Sequence, residues 1–182
     1  GNLRDTDPYP SLYGNTLYNW AVHFDAAITA DATAPTILSV SSDKANSSYS
    51  TGEVIDVDLT FSELVTTSGD VTVTLETGDT DRTCTFNLAI AASTATCNYT
   101  VQAGDTSADL TVSSISGTIN DEMSNTMVNM VPITNLAANK AIVIDTTAPS
   151  NSTVTTTPAT TSATITWTTD EAGSSIVDYG LT

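Results

Sequence analysis

Basic residues are scarce in this chain of 182 residues. Lys and Arg together number 4, against 21 Asp and Glu, and the formal net charge is −17. Binding to a nucleic-acid backbone requires basic side chains that displace counterions from the phosphates, so the composition excludes nucleic acid as a partner. It also disfavours anionic membrane surfaces. A surface this acidic repels itself unless salt or bound cations offset the charge.

Long apolar runs and catalytic motifs are missing as well. No stretch of about 18 apolar residues occurs, so we expect no membrane span. His23 is the only histidine, and the sequence has no glycine-rich phosphate loop, HExxH pattern or paired-cysteine zinc pattern. The few basic side chains leave little for phosphate or oxyanion chemistry. The sequence therefore predicts that the chain is not an enzyme.

What the sequence does contain is strand patterning. In EVIDVDLTF (Glu53 to Phe61) apolar residues alternate with Asp and Thr, which predicts a half-buried antiparallel strand with Asp56 and Asp58 on its outer face. VTVTL (71–75) repeats the alternation, and SADLTVSSI (107–115) repeats it more weakly. Thr and Val are abundant, and no window of about 11 residues carries a helical stripe. We predict an all-β fold with a sandwich architecture.

A repeated motif divides the chain. The pattern Asp-x-Thr-Ala-Pro begins at Asp31 and again at Asp145, 114 residues later (145 − 31). An immunoglobulin-type sandwich takes about 100 residues, so the motif is expected to mark the start of consecutive domains. We predict a strand-bearing arm or the tail of a preceding β domain in 1–30, an immunoglobulin-like antiparallel β-sandwich in 31–144, and an incomplete β segment in 145–182.

The chain has two cysteines, Cys84 and Cys97. Each alternates in phase with apolar neighbours, so both thiols are expected on the apolar face. If their strands fold as a hairpin about Ala91, the two cysteines lie directly opposite each other, and we predict a cross-strand disulfide. It would stabilise the fold by about 2–3 kcal/mol and place the protein outside the cytosol. The alternative is a pair of buried free cysteines.

Several motifs occur in a recognisable order: FSELV (61–65), YTVQAGDTSADL (99–110), GTINDEMSN (117–125) and NKAIVIDTTAP (139–149). Together they resemble the bacterial Ig-like repeats that occur in tandem in large secreted adhesins and surface proteins. The resemblance implies an extracellular or cell-surface location. The family pattern has Pro where this chain has Leu64, and its turn reads Asp-Ala-x-Gly-Asn, whereas residues 121–125 here read Asp-Glu-Met-Ser-Asn and lack the glycine.

Both ends of the chain resemble parts of other domains. The residues after Pro149 resemble the first strands of a fibronectin type III domain, with Trp167 in its second strand. Residues 14–28 weakly resemble the end of the P domain that follows subtilisin-like proteases. Two other interpretations stay open for that segment, an edge strand packed on the sandwich and a donor strand that completes the C-terminal sheet of a neighbouring subunit. Trp20 and Trp167 would anchor the two ends.

Calcium is the cofactor that the sequence indicates. Hard cations bind clustered carboxylate and carbonyl oxygens, and alternate loops of a sandwich meet at the same end. We expect Glu63 and Asp145 to converge at the junction with the following segment, together with Asp121, Glu122 and Asn125 of the loop before the last strand. Asp31 is expected to play the equivalent role at the preceding junction. The alternative is a set of solvated acidic loop residues.

These observations predict a non-catalytic extracellular structural or adhesion module with calcium-rigidified domain junctions. It would be a spacer, or the repeating subunit of a surface filament joined by strand complementation. The expected partners are neighbouring Ig-like or other β domains, identical subunits, and a cell-surface or matrix ligand. The alternative, which the P-domain resemblance favours, is an accessory C-terminal region of a secreted protease whose catalytic domain lies outside this chain.

Overall fold

A computed structural model describes residues 31–180. The expectations for residues 1–30, including the role of Trp20, lie outside the described residues, and the predicted domain limits stay predictions. The strands and the single helix found within the described range are β1 (Ile37–Ser41), β2 (Ser47–Tyr49), β3 (Val54–Thr67), β4 (Val71–Glu76), β5 (Arg82–Phe86), β6 (Ala92–Thr100), β7 (Thr106–Ser107), β8 (Thr111–Ser116), β9 (Ile119–Asp121), α1 (Leu136–Asn139), β10 (Ile142–Asp145), β11 (Asn151–Pro158) and β12 (Ala163–Thr169).

Two sheets enclose the core. One has the order β1-β3-β6, with β9 also pairing β3, and the other has the order β5-β4-β8. Apolar side chains from both sheets form one buried cluster, in which the rings of Phe61 and Phe86 lie 6.3 Å apart between centroids. A smaller sheet, β2-β10-β7, contains one parallel pair, β2 with β10. The predicted all-β sandwich is confirmed.

The alternation read from the sequence matches the burial of the strands. In β3, Ile55, Val57 and Leu59 are fully buried, while Asp56 and Asp58 lie half-buried on the outer face. β4 shows the same alternation along VTVTL. The weaker pattern of 107–115 becomes the end of β7 and most of β8, with a buried leucine between them. Strong alternation therefore predicted whole strands, and weak alternation predicted a broken one.

The predicted disulfide is confirmed, but the predicted hairpin around it is wrong. Cys84 and Cys97 are joined at an S–S distance of 2.05 Å, and no free cysteine remains. Their strands do not pair with each other: β5 pairs with β4, and β6 pairs with β3. The residues around Ala91 carry the chain from one sheet to the other. The disulfide therefore joins the two sheets along one side of the sandwich.

The segment that leads into α1 closes the opposite side of the sandwich. Ile133 and Thr134 exchange backbone hydrogen bonds with β1. The next residue, Asn135, reaches the other sheet, because its amide side chain accepts from the backbone N–H of Val112 at 3.1 Å and donates to the Val112 carbonyl at 2.9 Å. Asn135 thus pairs with β8 as a neighbouring strand would. Both sides of the sandwich are linked by specific bonds.

A buried carboxylate organises one end of the sandwich. Asp105 is 1% exposed and accepts hydrogen bonds from the Tyr99 hydroxyl at 2.7 Å, the Gln102 backbone N–H at 2.9 Å and the Arg82 guanidinium at 2.8 Å. Burial by itself would raise the pKa of Asp105, but these three donors outweigh it and lower the pKa. Burial and the bond to Asp105 raise the pKa of Tyr99. The network holds β5, β6 and the turn before β7 together.

The hairpin β11–β12 repeats the bonding of the start of the sandwich. The repeated motif forms the same turn twice: Asp31 accepts the N–H of Thr33 at 2.9 Å, and Asp145 accepts the N–H of Thr147 at 3.0 Å. The correspondence extends into the strands. In the sandwich Ile37 pairs with Phe61, and in the hairpin the matching Asn151 pairs with Thr169. A register shift follows in both cases, directly after Ile37 in β1 and one residue later, after Ser152, in β11.

A two-way hydrogen-bonded link follows each turn. Thr36 donates its backbone N–H to the Ser62 hydroxyl at 3.0 Å and accepts the Ser62 N–H at 3.0 Å. At the corresponding position, Ser150 donates its N–H to the Asp170 carboxylate at 2.8 Å and accepts the Asp170 N–H at 3.4 Å. β11 and β12 therefore correspond to β1 and β3. The offset in residue number is smaller for β12 than for β11, because the connection between the two strands is shorter in the hairpin.

Replacement of Asp105 tests the buried network. We expect Asp105→Ala to lower the free energy of unfolding by on the order of 3 kcal/mol, because it leaves the Tyr99 hydroxyl and the Arg82 guanidinium without their acceptor. Exposed Asp109→Ala is the matched control and should change little. The pKa of Asp105 is lowered by folding, so its stabilisation is present above the unfolded pKa and is lost as pH falls through the folded pKa. Urea unfolding at pH 7 and pH 3 measures both effects, and equal losses for the two variants would contradict the network.

Candidate metal site

Three of the four carboxylates expected to bind calcium come together. Carboxylate oxygens of Asp31, Glu63 and Asp121 all lie within 4.8 Å of one another. Asp31 is exposed, Glu63 is half-buried, and Asp121 is 4% exposed. We call these three residues the entry cluster. They are far apart in the sequence, so the fold assembles the cluster and the local sequence does not.

Strand pairing explains the approach of Glu63 to Asp121. β9 pairs antiparallel with the end of β3, where Val65 lies opposite Asp121. Glu63 is two residues before Val65 and is therefore on the same face, diagonal to Asp121. Between Thr60 and Val65 the pairing of β3 with β6 shifts register. The hydrogen-bonded ladder between β3 and β6 is therefore interrupted around Glu63.

Asp121 also builds the loop that follows it. Its Oδ1 accepts the backbone N–H of Met123 at 2.8 Å and of Asn125 at 2.7 Å, and its Oδ2 accepts the Asn125 side-chain amide at 2.7 Å. Ser124 lies in the left-handed region with φ 68°, at the position where the Ig-like repeats have glycine. The turn therefore keeps the conformation that glycine favours, although this chain has serine there.

The electrostatics of Asp121 suit a cation ligand. Burial would raise its pKa, but hydrogen bonds from Asn125 and from the Met123 amide outweigh burial and lower the pKa. Asp121 is therefore ionised at neutral pH. The donor set of the entry cluster, carboxylate oxygens on separate segments, is the kind that calcium prefers.

Asp145 belongs to neither of the acidic clusters found among residues 31–180. We expected it beside Glu63 and Asp121, but those two residues meet Asp31 instead. The neighbour of Asp145 is Glu171, the residue that corresponds to Glu63 in the hairpin. Burial and the charge of Asp145 raise the pKa of Glu171. Asp145, which corresponds to Asp31, is thus the neighbour of Glu171, which corresponds to Glu63.

A second acidic cluster was missed by sequence reasoning. Oxygens of Asp43, Asp56 and Asp58 also lie within 4.8 Å of one another. The alternation in the sequence predicts Asp56 and Asp58 only as outward residues of a strand. The available signal was the Asp-x-Asp spacing, which places two carboxylates on one face. Asp43 could not be placed in advance, because its position depends on the register of β1 against β3.

The pKa values of the two strand carboxylates of this second cluster are shifted in opposite directions. Burial would raise the pKa of Asp56, but the Asp43 amide, at 2.6 Å, and the Ser42 hydroxyl outweigh it and lower the pKa. Burial raises the pKa of Asp58, and the nearby charge of Asp56 adds to this despite a 2.6 Å hydrogen bond from the Thr96 hydroxyl. Asp58 therefore takes up a proton before Asp56 as pH falls.

Comparison with protein-family models, curated proteins and solved structures finds no match to this chain. Over residues 31–180, none of the helical structure is long or apolar enough to cross a membrane.

The left-handed serine of the Asp121 loop provides a stability test. We expect Ser124→Gly to raise the free energy of unfolding by about 0.5–1 kcal/mol, because relief of the positive φ outweighs the larger chain entropy of glycine. Ser114→Gly, in the middle of β8, should instead destabilise. Thermal unfolding of the wild type and the two variants shows whether each substitution raises or lowers the unfolding midpoint. A lower midpoint for Ser124→Gly would contradict the assigned loop conformation.

The second cluster predicts a pH-dependent gain of stability. Asp58→Asn keeps an acceptor for Thr96 and removes a carboxylate whose pKa is raised by folding. An ionised Asp58 destabilises the fold above its folded pKa, and this penalty disappears as pH falls toward the unfolded pKa. We therefore expect the variant to be more stable at pH 7, by up to about 1 kcal/mol, with the gain vanishing near pH 3. Asp79→Asn is the exposed control. A loss of stability at pH 7 would contradict the assignment.

Proposed function

We propose that this chain is a non-catalytic extracellular structural or adhesion module in which calcium, bound by the entry cluster, fixes the segment around Asp31 to the sandwich. The observation that carries the proposal is the convergence of Asp31, Glu63 and Asp121. A bound cation would offset repulsion among three carboxylates in a chain with few basic residues to do so. It would act as a mechanical link where one domain of a tandem array meets the next.

The covalent and buried links of the sandwich support a structural role. The disulfide joins the sheets on one side, and the strand-like pairing of Asn135 links them on the other. A disulfide is compatible with an extracellular location, where oxidising conditions maintain it. A domain whose two sheets are tied on both sides resists being pulled apart, which a spacer or adhesion module requires.

Thermal unfolding with and without calcium tests the proposal. Extracellular calcium modules have dissociation constants of about 10⁻⁴–10⁻³ M. At about 10 mM calcium, ten to a hundred times that constant, binding would stabilise the fold by about 1.4–2.7 kcal/mol, or several degrees in Tm. We expect this shift in the wild-type chain relative to the same protein in chelator, and a smaller shift or none in Glu63→Gln.

Glu122→Gln is the matched control, because it removes the same charge from the loop that carries Asp121 without removing a member of the entry cluster. Its calcium-dependent shift should equal that of the wild type. An unchanged Tm of the wild type in calcium would contradict the proposed site. A shift that survives in Glu63→Gln would place calcium elsewhere, and the same measurement on Asp58→Asn would then show whether the second cluster binds it.

A further inference from the structure

The hairpin exposes a face that is core in the sandwich. Because β12 corresponds to β3 with an offset of 108 residues (171 − 63), Ile165 and Trp167 correspond to Val57 and Leu59. The two sandwich residues are fully buried, whereas the two hairpin residues are only half-buried. On the paired strand, Val154 is 62% exposed. These three side chains line a cavity together with residues 173–177 of the same chain. The hairpin therefore presents a core-type apolar surface with no second sheet against it among the described residues.

The hairpin also has free strand edges within the described part of the chain. β3 has β1 on one edge and β6 on the other, whereas β12 pairs with β11 alone. An isolated two-stranded sheet is marginally stable in water. By correspondence, the edge of β12 that faces away from β11 is the one that β6 occupies on β3. A strand added there would complete the ladder and cover apolar surface.

The lack of charge in this hairpin favours it as a place where another copy can dock. The stretch 146–169 contains no Asp, Glu, Lys or Arg, in a chain of net charge −17. Two copies of so acidic a protein repel each other over most of their surfaces. An uncharged sheet edge is where a second copy approaches at the lowest electrostatic cost.

The N-terminal segment of the chain has the pattern of a strand that would fit. Alternate residues of 18–28 are apolar without exception, and the intervening residues include His23 and the single acidic residue Asp25; the apolar series is Tyr18, Trp20, Val22, Phe24, Ala26 and Ile28. At about 3.3 Å per residue, these 11 positions would extend about 36 Å, more than the roughly 23 Å of the seven-residue β12.

We propose that residues 18–28 of a second copy of this chain add as a strand to the free edge of β12, so that their apolar series continues the apolar face formed by Val154, Ile165 and Trp167. The donor segment and the acceptor edge are different surfaces, so the interface is heterologous. Repetition of a heterologous interface gives open chains or rings. This inference rests on the structural role proposed above and not on its calcium site.

Sedimentation of the full chain over a range of concentrations tests the proposal. We expect the wild type to form species larger than dimers as concentration rises. Val22→Asp removes the donor and Ile165→Asp removes the acceptor, so each variant alone should stay monomeric. Ala21→Asp and Thr164→Asp add the same charge on the opposite faces by alternation and should associate as the wild type does.

A mixture of the two inactive variants gives the sharpest result. The Ile165→Asp chain keeps its donor segment and the Val22→Asp chain keeps its acceptor edge, so the mixture should form 1:1 dimers and nothing longer. A wild type that stays monomeric, association that persists in either test variant, or a mixture that stays monomeric would each overturn the proposal. The runs are made in calcium and in chelator, and the calcium shift in Tm is read separately, so failure of the calcium site and failure of strand addition are distinguishable.

Discussion

The interaction on which this structure depends is the hydrogen bond from a backbone amide or hydroxyl group to a carboxylate. Only four basic residues are present, and the ion pair of Arg82 with Asp105 is the one that the structure shows among residues 31–180. Asp carboxylates instead accept hydrogen bonds from donors of their own loops. Asp121 does so from the N–H of Asn125, and the Asp residues of the two Asp-x-Thr turns do so from the N–H of the Thr two residues later. The acidic residues therefore shape the loops as well as charge the surface.

The same shortage of positive charge explains where cations would matter. Local donors suffice for a single carboxylate, and they hold the pKa of Asp121 and Asp170 below the ordinary value. Where the fold brings carboxylates together, burial and the opposition of their charges raise the pKa values of Asp58 and Glu171. Protonation, a bound cation or a change in spacing are the ways to relieve that opposition. The entry cluster is the place where a cation would also serve the proposed mechanical role.

The sequence predicted those features that depend on local periodicity. Alternation in β3 and β4 predicted the strands and their buried residues. Both cysteines alternate in phase with apolar neighbours, and this predicted that their side chains are buried. It could not predict that Cys84 and Cys97 belong to different sheets, because a buried cysteine at either position fits a hairpin and an inter-sheet bond equally well. The grouping of Asp31 with Glu63 and Asp121, rather than Asp145 with them, depends on the pairing of β9 with β3. The Asp43 cluster likewise depends on register, which no local pattern encodes.

The central claim, that the entry cluster binds calcium, is tested most directly by amide NMR during a calcium titration of the full chain. The backbone N–H groups of Met123 and Asn125 donate to Asp121, and that of Thr33 donates to Asp31, so their resonances report on both carboxylates. We expect saturable shifts at these amides with little change at Asp43 and Thr96. Shifts confined to the second cluster, or no saturable shift at Thr33, Met123 and Asn125, would contradict it.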